Sequence, residues 1–443
     1  MNRRQTITLA LALLLAPTFA AAENTPNLEE LWRIVQQQQR TIQTLTEKLD
    51  GALRALGRTE TQLAGAQEQL TEHSERIEAT AEVVDESRGV SQAASWTERT
   101  SIGGYGELHY NNLEDDSVSA DGGADDLNRV DFHRFVLLVT HEFNDWLRFA
   151  AEVELEHALA GDGEPGEVEL EQAWIEADLS DRHHLRAGLD ILPIGLLNPT
   201  HEPNTFYGVE RNRVESEIIP STWWEAGIGL FGDLMPGLSY DLVIHSGLVM
   251  PTSGASAFRP RSGRLKVAEA DDQDFAFTGR LRYTALPGLE LALSGQYQAD
   301  YSGTADDFDA AAFLVESHLD YRHASGLGLR ALYARWELGD DSSSAVDPRT
   351  RDAETLSGWY VEPAYRFAIG RAPGELGIFG RYSRWDERDQ LGLLFQEFER
   401  FDIGMNYWPH PDLVLKFDVQ WEDVDDPVDR VLDGFNLGLG YRF

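Results

Sequence analysis

The feature that most constrains the fold is a two-residue alternation of apolar and polar side chains, which recurs from residue 101 to the C-terminus. Within 415–422, apolar residues occupy the odd positions, and charged or amide residues occupy the even ones. A similar alternation is found in 275–283, 289–298, 400–407 and 435–443. Side chains of a β-strand point alternately to its two faces, so a period of two predicts strands with one apolar and one polar face.

The connections between these strands distinguish a membrane barrel from a soluble β-sandwich. Seven short turns alternate along the chain with eight longer, polar segments. The short turns are 143–146, 180–183, 233–237, 285–288, 323–326, 370–374 and 408–412, and the longer segments are 114–127, 160–167, 198–222, 249–272, 302–310, 340–354, 389–394 and 426–433. Tight turns at one rim and long loops at the other predict an all-β transmembrane barrel of about 16 antiparallel strands. We assign residues 101–443 to this barrel.

The N-terminus predicts export from the cytoplasm. Arg3 and Arg4 precede an apolar run at 7–19, and three alanines follow it at 20–22. This is the pattern of a secretory signal peptide, to which we assign residues 1–22. After it, no stretch approaches the roughly 18 uncharged apolar residues of a spanning helix, so we expect the mature chain to enter a membrane by strands.

Residues 28–84 predict a helical stalk, because apolar residues recur at every seventh position without a break. The coiled-coil core positions are Leu28, Val35, Ile42, Leu49, Leu56, Leu63, Leu70, Ile77 and Val84. At a rise of ~1.5 Å per residue, a left-handed coiled coil of this length would reach roughly 85 Å. The alternative is a single amphipathic helix packed on a globular body. We assign 23–84 to a periplasmic coiled-coil stalk and 85–100, which loses the repeat, to a linker.

The charge of the chain excludes one class of partner. The sequence has 76 acidic residues against 37 lysines and arginines, which gives a formal net charge of −39, and it has no cysteine. Binding to nucleic acid needs a basic surface, so no nucleic-acid partner is predicted. The excess of acid indicates either a solvated surface or a field that attracts cations.

The last strand carries a candidate membrane-insertion signal. Four apolar or aromatic residues occupy alternate positions of this strand and so lie on one face: Leu437, Leu439, Tyr441 and Phe443. A lipid-facing row that ends on an aromatic residue resembles the C-terminal signal of outer-membrane barrels, which the barrel-insertion machinery reads. We expect this strand to pair with the first one, since only a closed barrel satisfies every backbone group in lipid.

Aromatic residues at the ends of the predicted strands indicate girdles at the two membrane interfaces. The residues assigned to these girdles are Trp146, Trp223, Trp224, Tyr407 and Trp408.

No catalytic, metal or cofactor site is predicted. The patterns of serine hydrolases, zinc proteases, protein kinases and P-loop enzymes are absent from the sequence. The dipeptides His141-Glu142 and His201-Glu202 lack a second ligand at a metal-binding spacing. We therefore predict that the protein is not an enzyme.

The alternation of polar and apolar residues along each strand predicts which charged residues lie on the lumen wall. One face of a strand carries three glutamates, Glu152, Glu154 and Glu156. This face can be interpreted as a polar lumen wall, as a site of acid–base chemistry or as a binding site for a hard cation. The cations assigned to the wall are Arg186, Arg280, Arg282, Arg335, Arg366, Arg381 and Arg400. They can line the path of an anion or pair with neighbouring acids.

The strand after these glutamates breaks the alternation. In a regular strand, Glu169 and Glu171 would lie on the same face as the apolar residues Ile175 and Leu179. This conflict predicts either a β-bulge or an early exit of the strand from the bilayer.

The loop 198–222 is the third long loop from the first strand. Its candidate constriction residues are Glu202, Glu210, Arg211, Arg213, Glu215 and Glu217. A loop of this length with its own aromatic residues, Phe206 and Tyr207, is expected to pack rather than move freely. By analogy with sixteen-stranded porins it would fold into the barrel mouth. The alternative is an external loop that contacts lipopolysaccharide or a neighbouring subunit.

The barrel segment resembles the phosphate-selective porin O and P family of outer-membrane porins. The stretches that carry the resemblance are GGYGELHYNN, VELEQAWIEADL, NPTHEPNTFYGVERN, IIPSTWWEAGIGL and LSYDLVIHSGL. The resemblance implies a homotrimer of sixteen-stranded channels, with anion passage along a path lined by arginine and lysine. The chain departs from this pattern, because its only lysines are Lys48, Lys266 and Lys416 and its long loops are acidic.

Two functions follow from these features. The first is a passive outer-membrane porin for small hydrophilic solutes or ions, including anions such as phosphate. The second is an anchor: the barrel would lie among outer-membrane lipid and lipopolysaccharide, and the stalk would tether it to the cell wall or to a periplasmic partner. Both place the chain in the outer membrane of a Gram-negative bacterium with its stalk in the periplasm.

Overall fold

The computed structural model describes the barrel and a part of the N-terminal segment. The described residues are 28–29, 32–44, 46, 48, 51, 96, 98–115, 126–251, 256, 258–268, 270, 274–302, 310–339, 355–370, 372–388, 395–424 and 431–443. Those between 28 and 51 are helical, and they include Leu28, Val35 and Ile42 of the predicted coiled-coil core, with exposed side chains. The signal peptide and the other six core positions lie outside the described residues, so the coiled coil stays a prediction.

Sixteen β-strands follow one another within the compact unit Ala94–Phe443. They are β1 (Thr100–Asp115), β2 (Leu127–Asn144), β3 (Leu147–Glu156), β4 (Val168–Asp178), β5 (His183–Ile191), β6 (Trp224–Met235), β7 (Leu238–His245), β8 (Ala276–Tyr283), β9 (Leu289–Gln298), β10 (Ala312–Arg322), β11 (Leu327–Leu338), β12 (Thr355–Ala368), β13 (Glu375–Arg388), β14 (Phe395–His410), β15 (Leu413–Val424) and β16 (Leu432–Arg442). Each strand pairs with its sequence neighbours, and β1 pairs antiparallel with β16. The predicted closed antiparallel barrel of sixteen strands is confirmed.

The connections alternate in length as the sequence predicts. Every even-numbered strand up to β14 is followed by a short turn, and every odd-numbered strand by a longer segment. All short turns therefore lie at one end of the barrel, the short-turn rim, and all longer segments begin at the other, the long-loop rim. Two of the longer segments contain a helical turn, Val214–Ile218 and Pro260–Gly263. Among the described residues, no helix is long and apolar enough to cross a membrane.

The outer face of the strands is apolar. Exposed side chains on this face include Leu242, Leu293, Ile403 and Leu437. Exposed aromatic residues lie near both ends of the strands, such as Trp146 at the short-turn rim and Trp421 near the long-loop rim. This is the arrangement that a hydrocarbon layer with two polar interfaces requires.

The predicted aromatic girdle is wrong for three of its five members. Trp223, Trp224 and Trp408 are almost completely buried inside the barrel. Trp223 belongs to the connection between β5 and β6, and the Trp408 ring lies 5.7 Å from the ring of Tyr207 in the same connection. An aromatic residue at a strand end therefore does not by itself face lipid. Trp146 is exposed, and Tyr407 alternates with the inward Trp408 on β14.

The last residue completes the closure of the sheet. The Phe443 amide donates to the Gly104 carbonyl at 2.9 Å, and the Gly104 amide donates to the Phe443 carbonyl at 3.0 Å. The Phe443 ring is exposed and stacks at 6.0 Å on Phe135 of β2. The role of Leu437, Leu439, Tyr441 and Phe443 as an insertion signal stays a prediction.

The apolar core lies inside the barrel rather than between layers. The connection between β5 and β6, residues 192–223, is called the inner loop. Its residues Ile194, Ile218 and Trp223 are buried in one cluster with Trp336 of β11 and Tyr360 of β12. Burial against the wall holds this apolar part of the inner loop at the β11–β12 side of the lumen.

Candidate pore constriction

The inner loop crosses the lumen and is hydrogen-bonded to strands on several sides. Its backbone carbonyls accept from wall side chains: His201 from Arg134 at 2.6 Å, Thr205 from Arg330 at 2.8 Å, and Phe206 from Asn406 at 2.9 Å. Its Val209 amide donates to Asp418 Oδ2 at 2.6 Å. The alternative of an external loop is therefore excluded for residues 201–209.

One buried carboxylate ties the two halves of the inner loop to the wall. Glu215 is 0% exposed, and it accepts from the amides of Leu196 at 2.8 Å and Leu197 at 2.6 Å. The Tyr360 hydroxyl of β12 donates to the same carboxylate at 2.7 Å. Glu215 is therefore a structural anchor of the loop rather than a group that faces a solute.

Glycines on the wall allow the inner loop to approach the strand backbone. A Cβ at Gly440 would lie 2.5 Å from Pro203 Cβ, and one at Gly377 would lie 2.8 Å from the Tyr207 ring. A Cβ at Gly358 would meet Ile218 at 2.9 Å. At these positions a larger residue would push the loop away from the wall.

A polar cavity of about 220 Å³, here called the charged gap, separates the acidic wall from basic loop residues. Its charged lining residues are Glu154, Glu156, Glu167, Glu169, Glu171, Arg211, Arg261, Arg264 and Lys266. The acids belong to β3, β4 and the segment before β4. The cations belong to the inner loop and to the connection between β7 and β8. Charges of opposite sign thus face each other across a narrow space. Charged side chains that line a pore determine which ions pass.

Lys266 is the cation most directly tied to the acidic wall. Its ammonium contacts Glu167 at 2.6 Å and also Glu169. Burial lowers the pKa of Lys266, but the hydrogen bonds with the two glutamates outweigh burial and raise the pKa above its ordinary value. The ammonium is therefore charged at neutral pH.

Only one of the six predicted constriction residues of the inner loop lines the charged gap, namely Arg211. Glu210 accepts from Asn111 at 3.0 Å and contacts His109, and Arg213 pairs with Glu387 at 2.8 Å and with Glu217 at 3.2 Å. Glu215 is the anchor described above, and Glu202 is half-buried. The other five therefore lie outside the lining of the gap.

Two of the three predicted wall glutamates, Glu154 and Glu156, line the charged gap, and Glu152 is buried beside it. Most of the predicted wall cations are paired with acids. The pairs are Arg186 with Glu176 and Asp190, Arg280 with Asp241, Arg366 with Glu375, Arg381 with Asp402 and Glu362, and Arg400 with Glu422. Arg282 donates to Ser239 Oγ at 3.3 Å. Pairing reduces the positive charge that these arginines offer to a passing anion.

Arg335 is a correction to the predicted wall. It alternates with Trp336, which is 0% exposed in the interior, and its own side chain is 41% exposed beside Glu337. Arg335 therefore lies on the outer face, near the long-loop end of β11. The rule that polar residues face the lumen does not hold here, because the inward residues of β11 are apolar where they pack on the inner loop.

The β-bulge predicted in β4 is present. Glu152 of β3 pairs with Gln172, while the next residue, Val153, pairs with Leu170, so Glu171 is the extra residue. The register shift leaves Leu170 exposed and buries Glu171 at 1% exposure inside the barrel. The bulge thus keeps Glu169 and Glu171 out of the lipid-facing surface.

Sequence analysis did not assign six charged residues of the gap to the constriction or the wall: Glu167, Glu169, Glu171, Arg261, Arg264 and Lys266. The three cations come from a connection distant in sequence from the inner loop, so no strand pattern identifies them. The available signal was the clustering of three cations within six positions of an otherwise acidic chain.

A second cavity of about 770 Å³ lies towards the short-turn rim. It is lined by inner-loop residues, including Thr205 and Tyr207, and by the short-turn ends of β10 to β13. The lumen therefore contains a wider polar space in addition to the charged gap.

Comparisons with known proteins identify relatives of the chain. No family model matches it. An uncharacterized protein of Aquifex aeolicus (strain VF5) is 31% identical over 365 residues, which cover 77% of this chain and 80% of that protein. The chain belongs to the family of this Aquifex protein.

Solved structures of outer-membrane channels share the fold. An anion-selective porin from Comamonas acidovorans superposes with a TM-score of 0.52 at 11% identity, covering 78% of this chain and 99% of that one. OmpF of Salmonella typhi, in complex with daunomycin, gives 0.51 at 11% identity, covering 78% and 97%. The outer membrane channel DcaP of Acinetobacter baumannii gives 0.50 at 13% identity, also covering 78% and 97%. The fold is that of outer-membrane porins.

Proposed function

We propose that the protein is an outer-membrane porin, a passive diffusion channel for small hydrophilic solutes and ions. The observation that carries this proposal is the charged gap, in which acids of the wall face cations of two loops inside a closed barrel. The apolar outer face supports the location in the outer membrane, with the long-loop rim outside the cell and the short-turn rim in the periplasm.

The charge balance of the gap supports a weak preference for cations. Its lining has five glutamates and four cationic residues, which gives a formal charge of −1 when every group is ionised, within a chain of formal net charge −39. An anion such as phosphate would have to pass along Arg211, Arg261, Arg264 and Lys266. Of these, Lys266 is already paired with two glutamates.

The decisive experiment is single-channel recording of the refolded protein in planar bilayers under a salt gradient. Current steps with a reversal potential of cationic sign would support the proposed gap. A reversal potential of the sign expected for anion preference would mean that the loop cations determine selectivity. That result would favour anion passage, as the resemblance to phosphate-selective porins implies. A folded, heat-modifiable barrel without conductance would contradict the porin and favour the structural anchor.

We further propose a homotrimer with a periplasmic coiled-coil stalk from residue 23 to residue 84. The proposal rests on the family resemblance and on the heptad repeat, and three stalk helices would then match three barrels. Chemical cross-linking of the purified protein tests it, because a trimeric band is expected. Only monomers or dimers would refute the trimer.

A further inference from the structure

Three buried side chains meet between the wall and the inner loop, and one of them, Glu171, also lines the charged gap. Glu152 lies on β3, Glu171 is the bulge residue of β4, and His201 belongs to the inner loop. His201 Nε2 lies 3.5 Å from Glu152 Oε1 and 3.5 Å from Glu171 Oε2. All three residues are buried, at 2%, 1% and 3% exposure.

Two donor atoms of this cluster are available to a ligand. His201 Nε2 and Glu171 Oε2 are buried and make no hydrogen bond. Their distance of 3.5 Å exceeds the usual range of a hydrogen bond, about 2.7–3.2 Å. Buried polar atoms without partners are rare and require a physical explanation.

The imidazole is held in the orientation that a metal ligand needs. His201 Nδ1 lies 2.9 Å from the Asn198 carbonyl, so Nδ1–H donates there and Nε2 faces the carboxylates. Asn198 is itself fixed, because its side chain bonds to the backbone of Leu192 and Trp223. A histidine that binds a metal through one nitrogen usually donates the other N–H to a carbonyl or carboxylate.

The carboxylate side of the cluster is also positioned. Glu152 accepts from the Tyr105 hydroxyl at 3.0 Å and from Gln172. Glu171 points inward only because of the bulge, which breaks the regular ladder of β4 at this residue. Bulges that re-aim one side chain are common beside functional sites.

Two of the three distances between donor atoms, each 3.5 Å, fit a tetrahedral ion. Metal–ligand distances of about 2.0–2.2 Å place neighbouring tetrahedral ligands roughly 3.3–3.6 Å apart. The three donor atoms all lie within 4.8 Å of one another. One nitrogen and two carboxylate oxygens with an open fourth position is a ligand set that zinc accepts.

The local charge favours a divalent ion. Two carboxylates, those of Glu152 and Glu171, face one imidazole here. With the imidazole neutral, these three ligands carry two negative charges, which one divalent cation balances. Arg134 is paired with Glu107 and Glu154 instead. Glu154 and Glu171 also line the charged gap, which provides a path of entry.

We propose that Glu152, Glu171 and His201 form a binding site for a divalent transition-metal ion of the zinc type, which links the inner loop to the barrel wall. The competing arrangement is an imidazolium that carries a proton on Nε2 and pairs with the two carboxylates. The two arrangements differ in whether the folded chain takes up metal.

The test is zinc titration of the refolded full-length chain by calorimetry, with metal content measured after desalting. We expect one zinc ion per chain. Glu171→Gln should raise the apparent Kd by roughly 100-fold or more, since loss of even an outer-shell partner costs about 10–100-fold. Glu169→Gln is the matched control, because Glu169 lies two residues away on the same strand and pairs with Lys266. The Kd of the Glu169→Gln variant for zinc at this site should stay close to that of the wild type.

Cobalt provides a readout that needs no variant. Co²⁺ in place of zinc should give the intense visible absorption of a tetrahedral site, and zinc should remove it. Weak octahedral absorption with no saturable uptake would overturn the proposal and establish the protonated triad. Zinc uptake that Glu171→Gln and His201→Gln both leave unchanged, in barrels that remain heat-modifiable, would overturn it as well. Conductance is not measured, so failure here is independent of failure of the porin proposal.

Discussion

Replacing Glu215 by alanine should release the inner loop from the wall. The substitution removes the acceptor of three buried donors, the amides of Leu196 and Leu197 and the Tyr360 hydroxyl. A buried donor left without a partner costs about 1–3 kcal/mol. Three such donors therefore destabilise the docked loop by roughly 3 kcal/mol even at the lower limit. Since 1.4 kcal/mol is about a factor of ten, the released population should rise roughly 100-fold.

Single-channel recording measures this release. We expect Glu215→Ala to give a larger mean conductance and more open-channel noise, because the loop no longer narrows the lumen. The wall should remain intact, since the strand ladder does not involve Glu215. Heat-modifiable migration in electrophoresis checks that the barrel has folded.

Glu217→Ala is the matched control for this prediction. Glu217 lies on the same helical turn, but it makes one ion pair, with the partly exposed Arg213 at 3.2 Å. Such pairs contribute about 0–1 kcal/mol. Unchanged conductance in Glu215→Ala, or an equal change in Glu217→Ala, would refute the assignment of Glu215 as the anchor of the loop.

Three further predictions concern the seat of the loop, the gap and the buried charges. Gly440→Val should displace Pro203 and raise conductance, whereas Gly229→Val should not, because a Cβ at Gly229 meets only atoms at 3.5 Å or beyond. Arg211→Ala removes a cation from the charged gap, so the reversal potential should shift towards greater cation preference; a shift towards anions would contradict the gap. Arg134→Met leaves buried carboxylates unpaired and should lower the free energy of unfolding by about 3–5 kcal/mol. Guanidinium unfolding followed by tryptophan fluorescence measures this loss, and the exposed Arg335→Met should change stability little.

The barrel could be predicted from sequence because its determinants are local. Strand parity and turn length repeat along the chain, and each strand pairs with its sequence neighbours. Even the bulge at Glu171 was visible as a conflict of parity within one strand. The long-range pairing of β1 with β16 followed from the physical requirement that a barrel in lipid has no free edge.

The interior could not be predicted in the same way. Parity separates apolar from polar faces, but the inner loop makes part of the lumen apolar, so Trp408 and Arg335 were assigned to the wrong faces. The charged gap and the cluster around His201 combine residues from distant segments. Their proximity depends on the path of the inner loop, for which the sequence offers length and aromatic content but no periodicity.

The glycines under the inner loop have a consequence for the order of assembly. The loop leaves the wall after β5, yet its partners include Asn406 on β14, Asp418 on β15 and Gly440 on β16. The hydrogen bonds to Asn406 and Asp418 span 200 and 209 residues of sequence, and contacts over such separations are slow to form. A nascent barrel would therefore be wide until β16 is in place. The strand that closes the wall also completes the surface on which the loop docks, so the channel acquires its narrow part only when its circumference is complete.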